Sequence, residues 1–518
     1  MILEKNTIQK DPLKTEIRIA LSYPNIYKTA MSSLGFQLMY NLINEREDSW
    51  CERIVYPEKR TIESNSPLKG FNIISFSLQY EQDYFNVLKI LEYSDIPLRR
   101  EDRNENHPLI IAGGPCATAN PLPLTDFIDL FIIGEGETTI NNFLDCYKKI
   151  DNPHNNIKEF SKIEGVYVSS ENNHTKINIM DNLNSIYHNT HPLIVETEDE
   201  NYKPVFQNTI LLNVSRGCTR GCRFCMSSYL YRPLREVSLK KLFEIAEKSR
   251  ENTGFNKVTL IGSAVGDYSK LNELIKGLKN RNFEVSTPSL RLESLNRKTL
   301  ENLKNSGLRT LTIAPESIYS LRKSINKDIS NEKIEEVVKN AIDLKLKIKF
   351  YFLIGLPNEG EEEIKELCEY ITKLNSYGNT HLMSFSINPT IPKPHTPLQW
   401  DTYNIKDIKS KIKYLKKNLK NIDVKFDSAK MGLIQYILSC GDHNVGNLLE
   451  KSLHEKIPIK EWEKYIPNYD FNSHLPWENI DIGLNSNFLK KEREKIDLNK
   501  TTPWCKENKC YKCGVCNK

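Results

Sequence analysis

No stretch of the 518 residues approaches the ~20 consecutive apolar side chains that a bilayer span requires, so an integral membrane protein is excluded. Charge of one sign is also missing: 72 Lys and Arg against 67 Asp and Glu leave +5. The heaviest basic stretch, Lys406 to Lys420, spaces its lysines at near-helical intervals and reads as a solvated helix face. A nucleic-acid partner is therefore allowed but not indicated. The opening Met1-Ile2-Leu3-Glu4-Lys5 turns charged at once, unlike an export signal, and the expected location is the cytoplasm. No G-x-G-x-x-G follows the first apolar run, which disfavours a dinucleotide. What is present is an enzyme-sized chain, 39% hydrophobic and 27% charged, too apolar to stay disordered. Its length suggests about three domains.

The cysteines are the most informative residues. Of twelve, five (Cys51, Cys116, Cys146, Cys368 and Cys440) stand alone and suit buried, small-hydrophobe roles. The other seven form two tight groups, which in an unexported chain read as metal ligands rather than disulfides. Cys218, Cys222 and Cys225 make a C-x3-C-x2-C triplet, with Gly217 and Gly221 allowing a tightly wrapped loop. Three thiolates at this spacing can hold three irons of a 4Fe–4S cluster and leave the fourth open, whereas structural zinc usually takes four ligands in paired spacing. Cys505, Cys510, Cys513 and Cys516 close the chain in twelve residues. Their C-x2-C-x2-C run is ferredoxin-like and favours a second, closed 4Fe–4S cluster over zinc.

The triplet, with Phe224 before its third cysteine and the strand-like run Thr209 to Val214 ahead of it, resembles the signature of radical S-adenosylmethionine (SAM) enzymes. The resemblance implies a partial (β/α)6 barrel whose cluster binds SAM through the open iron and cleaves it to a 5′-deoxyadenosyl radical, fed by a low-potential donor such as ferredoxin or flavodoxin. Residues 209–400 fit a barrel. Strand candidates at Lys257–Ile261, Phe283–Ser286, Thr310–Ile313, Lys347–Ile354 and Leu382–Ile387 alternate with five helical stretches. Ligands in such folds gather at the carboxyl ends of strands. By resemblance, Phe224, Gly262 and Ser263 would line the SAM site, though the usual Gly-Gly-Glu-like segment is absent and only backbone contacts follow. Ser286 and Arg291 end the third strand and Glu316 the fourth. Glu316 would meet the ribose or methionine end, Arg291 or Lys327 would pair with the carboxylate, and Gly355 would lie near adenine.

Residues 1–150 read as a Rossmann-like, doubly wound α/β domain, with short apolar runs at 16–21, 71–78, 109–112 and 130–133. Ser77, Gln79, Gly113, Gly114 and Glu135 follow successive strands and leave room for a flat ligand. Such a domain ahead of the barrel resembles the cobalamin-binding type of the superfamily and implies cobalamin there. The cobalt-ligating Asp-x-His-x-x-Gly motif is absent, as in many members that bind cobalamin without a protein histidine, and a domain that has lost the cofactor is the alternative. Cys51, Cys116 and Cys146 lack the neighbours expected of the second cluster in tRNA methylthiotransferases.

Residues 151–208 are polar and read as a hairpin and linker; 401–518 read as a small α-rich region carrying the cysteine tail. Leu475 to Gly483 with the closing Cys-Gly-Val-Cys resembles an uncharacterised cobalamin-type family, which brings no substrate with it. The expected function is cobalamin-dependent methyl transfer to an unactivated carbon. The alternatives are a cobalamin-independent radical SAM enzyme acting on RNA or a peptide, and a non-catalytic Fe–S sensor. No side chain is singled out as catalytic, and His395 and His443 read as structural.

Overall fold

The computed structural model describes residues 3–287, 291–305, 307–378, 382–505, 510 and 512–516. Its N-terminal sheet has six strands, β1 (Ile17–Tyr23), β2 (Ser49–Val55), β3 (Ile73–Ser77), β4 (Leu109–Gly113), β5 (Leu130–Ile132) and β6 (Val166–Val168). Their order is β2-β1-β3-β4-β5-β6, parallel except for β6. The order reverses between β1 and β3, where open α/β sheets form a ligand crevice at the strands' carboxyl ends. Alternate residues face two cores. Ile73, Ile111 and Leu130 pack with helices α1 (Leu34–Asn44) and α3 (Gly136–Lys149). Ile74, Ile110 and Phe131 pack with α2 (Tyr84–Tyr93). A parallel sheet needs both faces covered, and here both are.

Strand β2 was not expected. Its sequence, SWCERIV, carries Glu52 and Arg53 inside, yet all seven residues are buried. Arg53 is fully enclosed and meets Glu4 and Glu63 at 2.6 Å each, while Glu52 accepts from Arg18 at 2.6 Å. Paired charges hide a core strand from a hydrophobicity pattern. The sheet also runs to Val168, beyond the expected boundary at 150. Short pairings tie the segment after it to both ends of the chain: Ile194–Glu196 with Leu3–Lys5, and Thr175–Lys176 with Ile480–Asp481.

The central region holds strands β7 (Ile210–Asn213), β8 (Lys257–Ile261) and β9 (Glu284–Ser286) in one parallel sheet. Strands β10 (Thr310–Glu316), β11 (Lys347–Ile354), β12 (Met383–Pro389) and β13 (Val424–Phe426) form another. Helices α4 (Leu239–Thr253), α5 (Leu271–Lys279), α6 (Arg297–Asn305), α7 (Asn331–Asp343) and α8 (Glu361–Ser376) follow β7 to β11 in turn. Six strands were expected in one sheet. Among the described residues the ladder is broken between β9 and β10, and the second sheet gains a seventh strand past residue 400. Three residues between a lysine-rich helix and a second helix are too few to show a period.

The C-terminal region is not a separate body. Helices α9 (Ile405–Asn418) and α10 (Ala429–Cys440) share the main core. Asn120 Nδ2 donates to the carbonyls of Ser439 (3.0 Å) and Gly441 (2.8 Å). His395, in the proline-rich connector, is buried with φ +57° and donates through Nε2 to the Ala119 carbonyl at 3.0 Å. Burial pulls its pKa down from 6.5 to about 4. The folded state thus holds neutral imidazole, and the unfolded chain binds a proton first as pH falls. Stability from this group is complete above pH 6.5 and is lost between 6.5 and 4, by about 3 kcal/mol. In thermal melts, His395→Gln should lose less stability than the wild type over that interval.

Candidate active site

Ser215–Arg216 pairs antiparallel with Arg235–Glu236, Arg216 opposite Arg235, so residues 217–234 form a loop closed at its neck. Gly217 has φ +81°, and a Cβ there would lie 2.3 and 2.4 Å from the carbonyl oxygens of Tyr231 and Pro233. Only glycine lets the neck close this tightly. Cys218 and Cys222 are buried and Cys225 half-buried inside the loop. Burial pushes the Cys222 thiol up to about 11, against the pull of Lys327 and Arg291, and it senses both other thiols. Among the described residues no three His, Cys, Asp or Glu side chains are grouped to hold a single metal ion. A cluster makes a different demand, since each thiolate takes its own iron. Three soft donors in one glycine-permitted loop, beside two cations, fit a 4Fe–4S group.

The tip of the loop is held by Arg223, which is fully buried. Its guanidinium donates to Glu492 Oε2 (3.0–3.1 Å) on α11 (Ser486–Asp497), to the Lys500 carbonyl (2.8 Å) and to Thr502 Oγ1 (3.3 Å). A further bond runs to the Ser324 carbonyl at 2.5 Å. The Cys505 N–H donates to the Thr219 carbonyl at 3.1 Å, laying the start of the cysteine tail on the loop. Cys513 is buried against Tyr229, Phe488 and Leu489, while Cys510 is exposed and Cys516 half-buried.

Glu316 ends β10 in a left-handed conformation (φ +68°), buried, and accepts from Lys327 Nζ at 2.6 Å. The two residues expected to bind SAM separately are thus paired with each other. Arg291 lies 3.5 Å from Asp267 and 3.6 Å from Glu293. Arg220, from the cluster loop, makes a two-pronged contact with Asp267 at 2.5 and 2.8 Å. Arg220, Arg291 and Lys327 line a cavity of 250 Å³ walled on one side by Trp504. The sequence pattern missed Arg220, Asp267 and Trp504, because the triplet draws attention to its cysteines alone. Ser286 is half-buried in β9, paired with Thr259, and Phe224 packs half-buried on the main core. Gly355 lines a different cavity, of 540 Å³. Its N–H donates to Glu359 Oε1 at 2.6 Å, and a Cβ would strike Ile408 at 2.4 Å.

The five N-terminal candidates do meet. Ser77, Gln79, Gly113, Gly114 and Glu135 line one cavity of 550 Å³, together with Arg216, Gly217, Gly262 and Ser263 from the central region. Gln79 Nε2 donates to Ser77 Oγ at 3.1 Å. Two buried atoms in its walls, Glu135 Oε1 and Ser215 Oγ, lack a hydrogen-bond partner. Such atoms are costly unless something else satisfies them.

Two family models match the chain: radical SAM proteins, N-terminal, over residues 35–169, and the radical SAM superfamily over 212–371. An uncharacterised protein of Methanocaldococcus jannaschii is 34% identical over 449 residues, covering 84% of this chain and 91% of its own. The chain belongs to the radical SAM superfamily. This radical SAM enzyme is also 24% identical over 328 residues to an uncharacterised methyltransferase of Pyrococcus horikoshii (60% and 69% covered). The solved structure of the radical SAM methyltransferase TsrM of Kitasatospora setae, with cobalamin and a 4Fe–4S cluster bound, matches at 12% identity. Its TM-score is 0.49, over 75% of this chain and 78% of that one.

Replacing Arg223 by Met would leave the buried Glu492 carboxylate to Lys495 and Thr502, at 2.7 Å each, so its charge is under-compensated and the loss falls below the ~3–5 kcal/mol of a fully stranded charge. Thermal unfolding should show a lower midpoint for Arg223→Met, and Glu492→Gln on the same background should recover part of it.

Proposed function

We propose that this radical SAM enzyme cleaves SAM at a 4Fe–4S cluster on Cys218, Cys222 and Cys225 and uses cobalamin to methylate an unactivated carbon. In this reading the N-terminal sheet is a Rossmann-like cobalamin domain and the two central sheets are the halves of a partial (β/α)6 barrel. The observation that carries it is the 550 Å³ cavity, where the carboxyl edge of the N-terminal sheet opens onto the cluster strand. Small residues on its N-terminal side leave space for a flat ring, and the orphaned Glu135 Oε1 and Ser215 Oγ suit a ligand with amide groups around its rim. The name of the Pyrococcus relative, an uncharacterised methyltransferase, agrees with the chemistry.

When bound, the cluster supplies the electron that opens the SAM sulfonium, and cobalamin supplies the methyl group. The chain's own residues bind and orient. Lys327 and Arg291 present cations beside Cys222, where the carboxylate of SAM would sit, and Glu316 holds Lys327 in place. Gly262 and Ser263 offer backbone groups at the border of both ligands. Cys505, Cys510, Cys513 and Cys516 would hold a second cluster, supported by the bond from Cys505 to the loop.

The test is anaerobic reconstitution of the full chain with iron, sulfide and cobalamin. The expected content is one cobalt and about eight irons per chain, falling by about four on loss of either cysteine group. Cys218→Ala should abolish release of 5′-deoxyadenosine from SAM. Intact SAM cleavage without bound cobalt would replace this reading with cobalamin-independent modification of RNA or a peptide.

A further inference from the structure

Both ends of the cluster loop are held by the N-terminal domain. Arg216 and Arg235 face each other across the neck. Each reaches Glu135, on the loop after β5: Arg235 Nη1 lies 2.9 Å and Arg216 Nη1 3.5 Å from Glu135 Oε2. Arg216 Nη2 also donates to Glu137 Oε1 at 2.5 Å, and its Nε donates to Asn213 Oδ1 at 3.2 Å. The same Glu135 oxygen accepts from the Met180 N–H at 2.8 Å, and Arg235 donates to the Met180 carbonyl at 2.8 Å. All four charged side chains are largely or wholly enclosed, with Glu135 4%, Arg235 5%, Glu137 8% and Arg216 19% exposed.

Two carboxylates and two guanidiniums in this setting hold one another in a single arrangement, because any member left alone would be a buried, unpaired charge. Glu135 caps and Glu137 opens the first turn of α3, and the turn before them is fixed through its backbone: the Glu135 N–H donates to the Asn178 carbonyl at 2.8 Å, and the Gly134 N–H to Thr118 Oγ1 at 2.9 Å. The arginines stand two residues before Cys218 and ten after Cys225, at positions that set where the neck closes. We propose that Glu135 and Glu137 are positioning residues for SAM cleavage, fixing the neck of the cluster loop, and hence the cysteine triplet, against the N-terminal sheet. The inference rests on the radical SAM chemistry and not on the occupant of the cavity, so a protein without cobalamin leaves it standing.

Misplacing a reacting group by about 1 Å can cost about 100-fold in rate. The full-length protein would be reconstituted with iron and sulfide and reduced with dithionite, with 5′-deoxyadenosine release followed in a single turnover. Glu137→Gln should slow release about 100-fold at unchanged iron content. It should also alter the change that SAM produces in the EPR spectrum of the reduced cluster. Glu137→Asp, which keeps the charge, should restore much of both. Hydrogen exchange of residues 217–234 in the iron-free protein should quicken in Glu137→Gln and Glu135→Gln. Arg216→Lys, whose ammonium cannot span both carboxylates, carries the same expectation if the glutamine variants fail to fold. Wild-type release in these variants would overturn the proposal. So would slower release with an unaltered EPR response and unaltered exchange.

Discussion

A guanidinium sealed from water must find its full set of acceptors inside the protein, and Arg223 finds them at four residues on three stretches of chain. It sits between two cysteines of the cluster loop and joins Ser324 after β10, Glu492 on α11, and Lys500 and Thr502 before the tail. Once that side chain is buried, the loop, the segment after β10 and the C-terminal helix have little freedom relative to one another. Lys495 and Thr502 bind the same Glu492 carboxylate, so the carboxylate is shared rather than spent on one partner. Breaking a network of this kind costs more than any of its contacts taken singly.

The neck of the loop is treated in the same way from the opposite side, by the acidic residues that follow β5. The cysteine triplet is therefore suspended between two charged clamps, one from the N-terminal sheet and one from the C-terminal helix. Between the first clamp and the glycine-lined strand ends lies the 550 Å³ cavity. Beside the second lies the smaller cationic one, with Arg220, Arg291 and Lys327. The carboxyl ends of the N-terminal sheet and of the central strands thus open toward one loop. In α/β folds it is at such carboxyl edges that ligands gather.

Much of this was legible in the sequence, and for physical reasons. Lys257–Ile261 and Lys347–Ile354 keep their expected limits because apolar runs bounded by turn residues leave little choice. The triplet and the strand-end residues from Ser77 to Glu135 were visible as chemistry at a recognisable spacing. Strand β2 was hidden by Glu52 and Arg53, whose charges are paid off by partners 10 to 50 residues away. Residues 424–426 were too short to show alternation, and the break between β9 and β10 has no signature in composition. At the site, the pairings of Glu316 with Lys327 and of Arg220 with Asp267 depend on which loops face each other, and that is settled only by tertiary packing.

The clamp on Arg223 has a consequence for how the protein is made. Its carboxylate partner lies 269 residues downstream, and the tail that covers the loop follows later still. At ~5–20 residues per second, the loop leaves the ribosome on the order of tens of seconds before the segment that encloses it. Throughout that interval Arg223 lacks its carboxylate partner, and the tip of the loop lacks the clamp that holds it in the finished protein. Only when α11 and residues 500–502 have been made can Arg223 find its acceptors there, so the last part of the chain fixes the tip of a loop made near its middle.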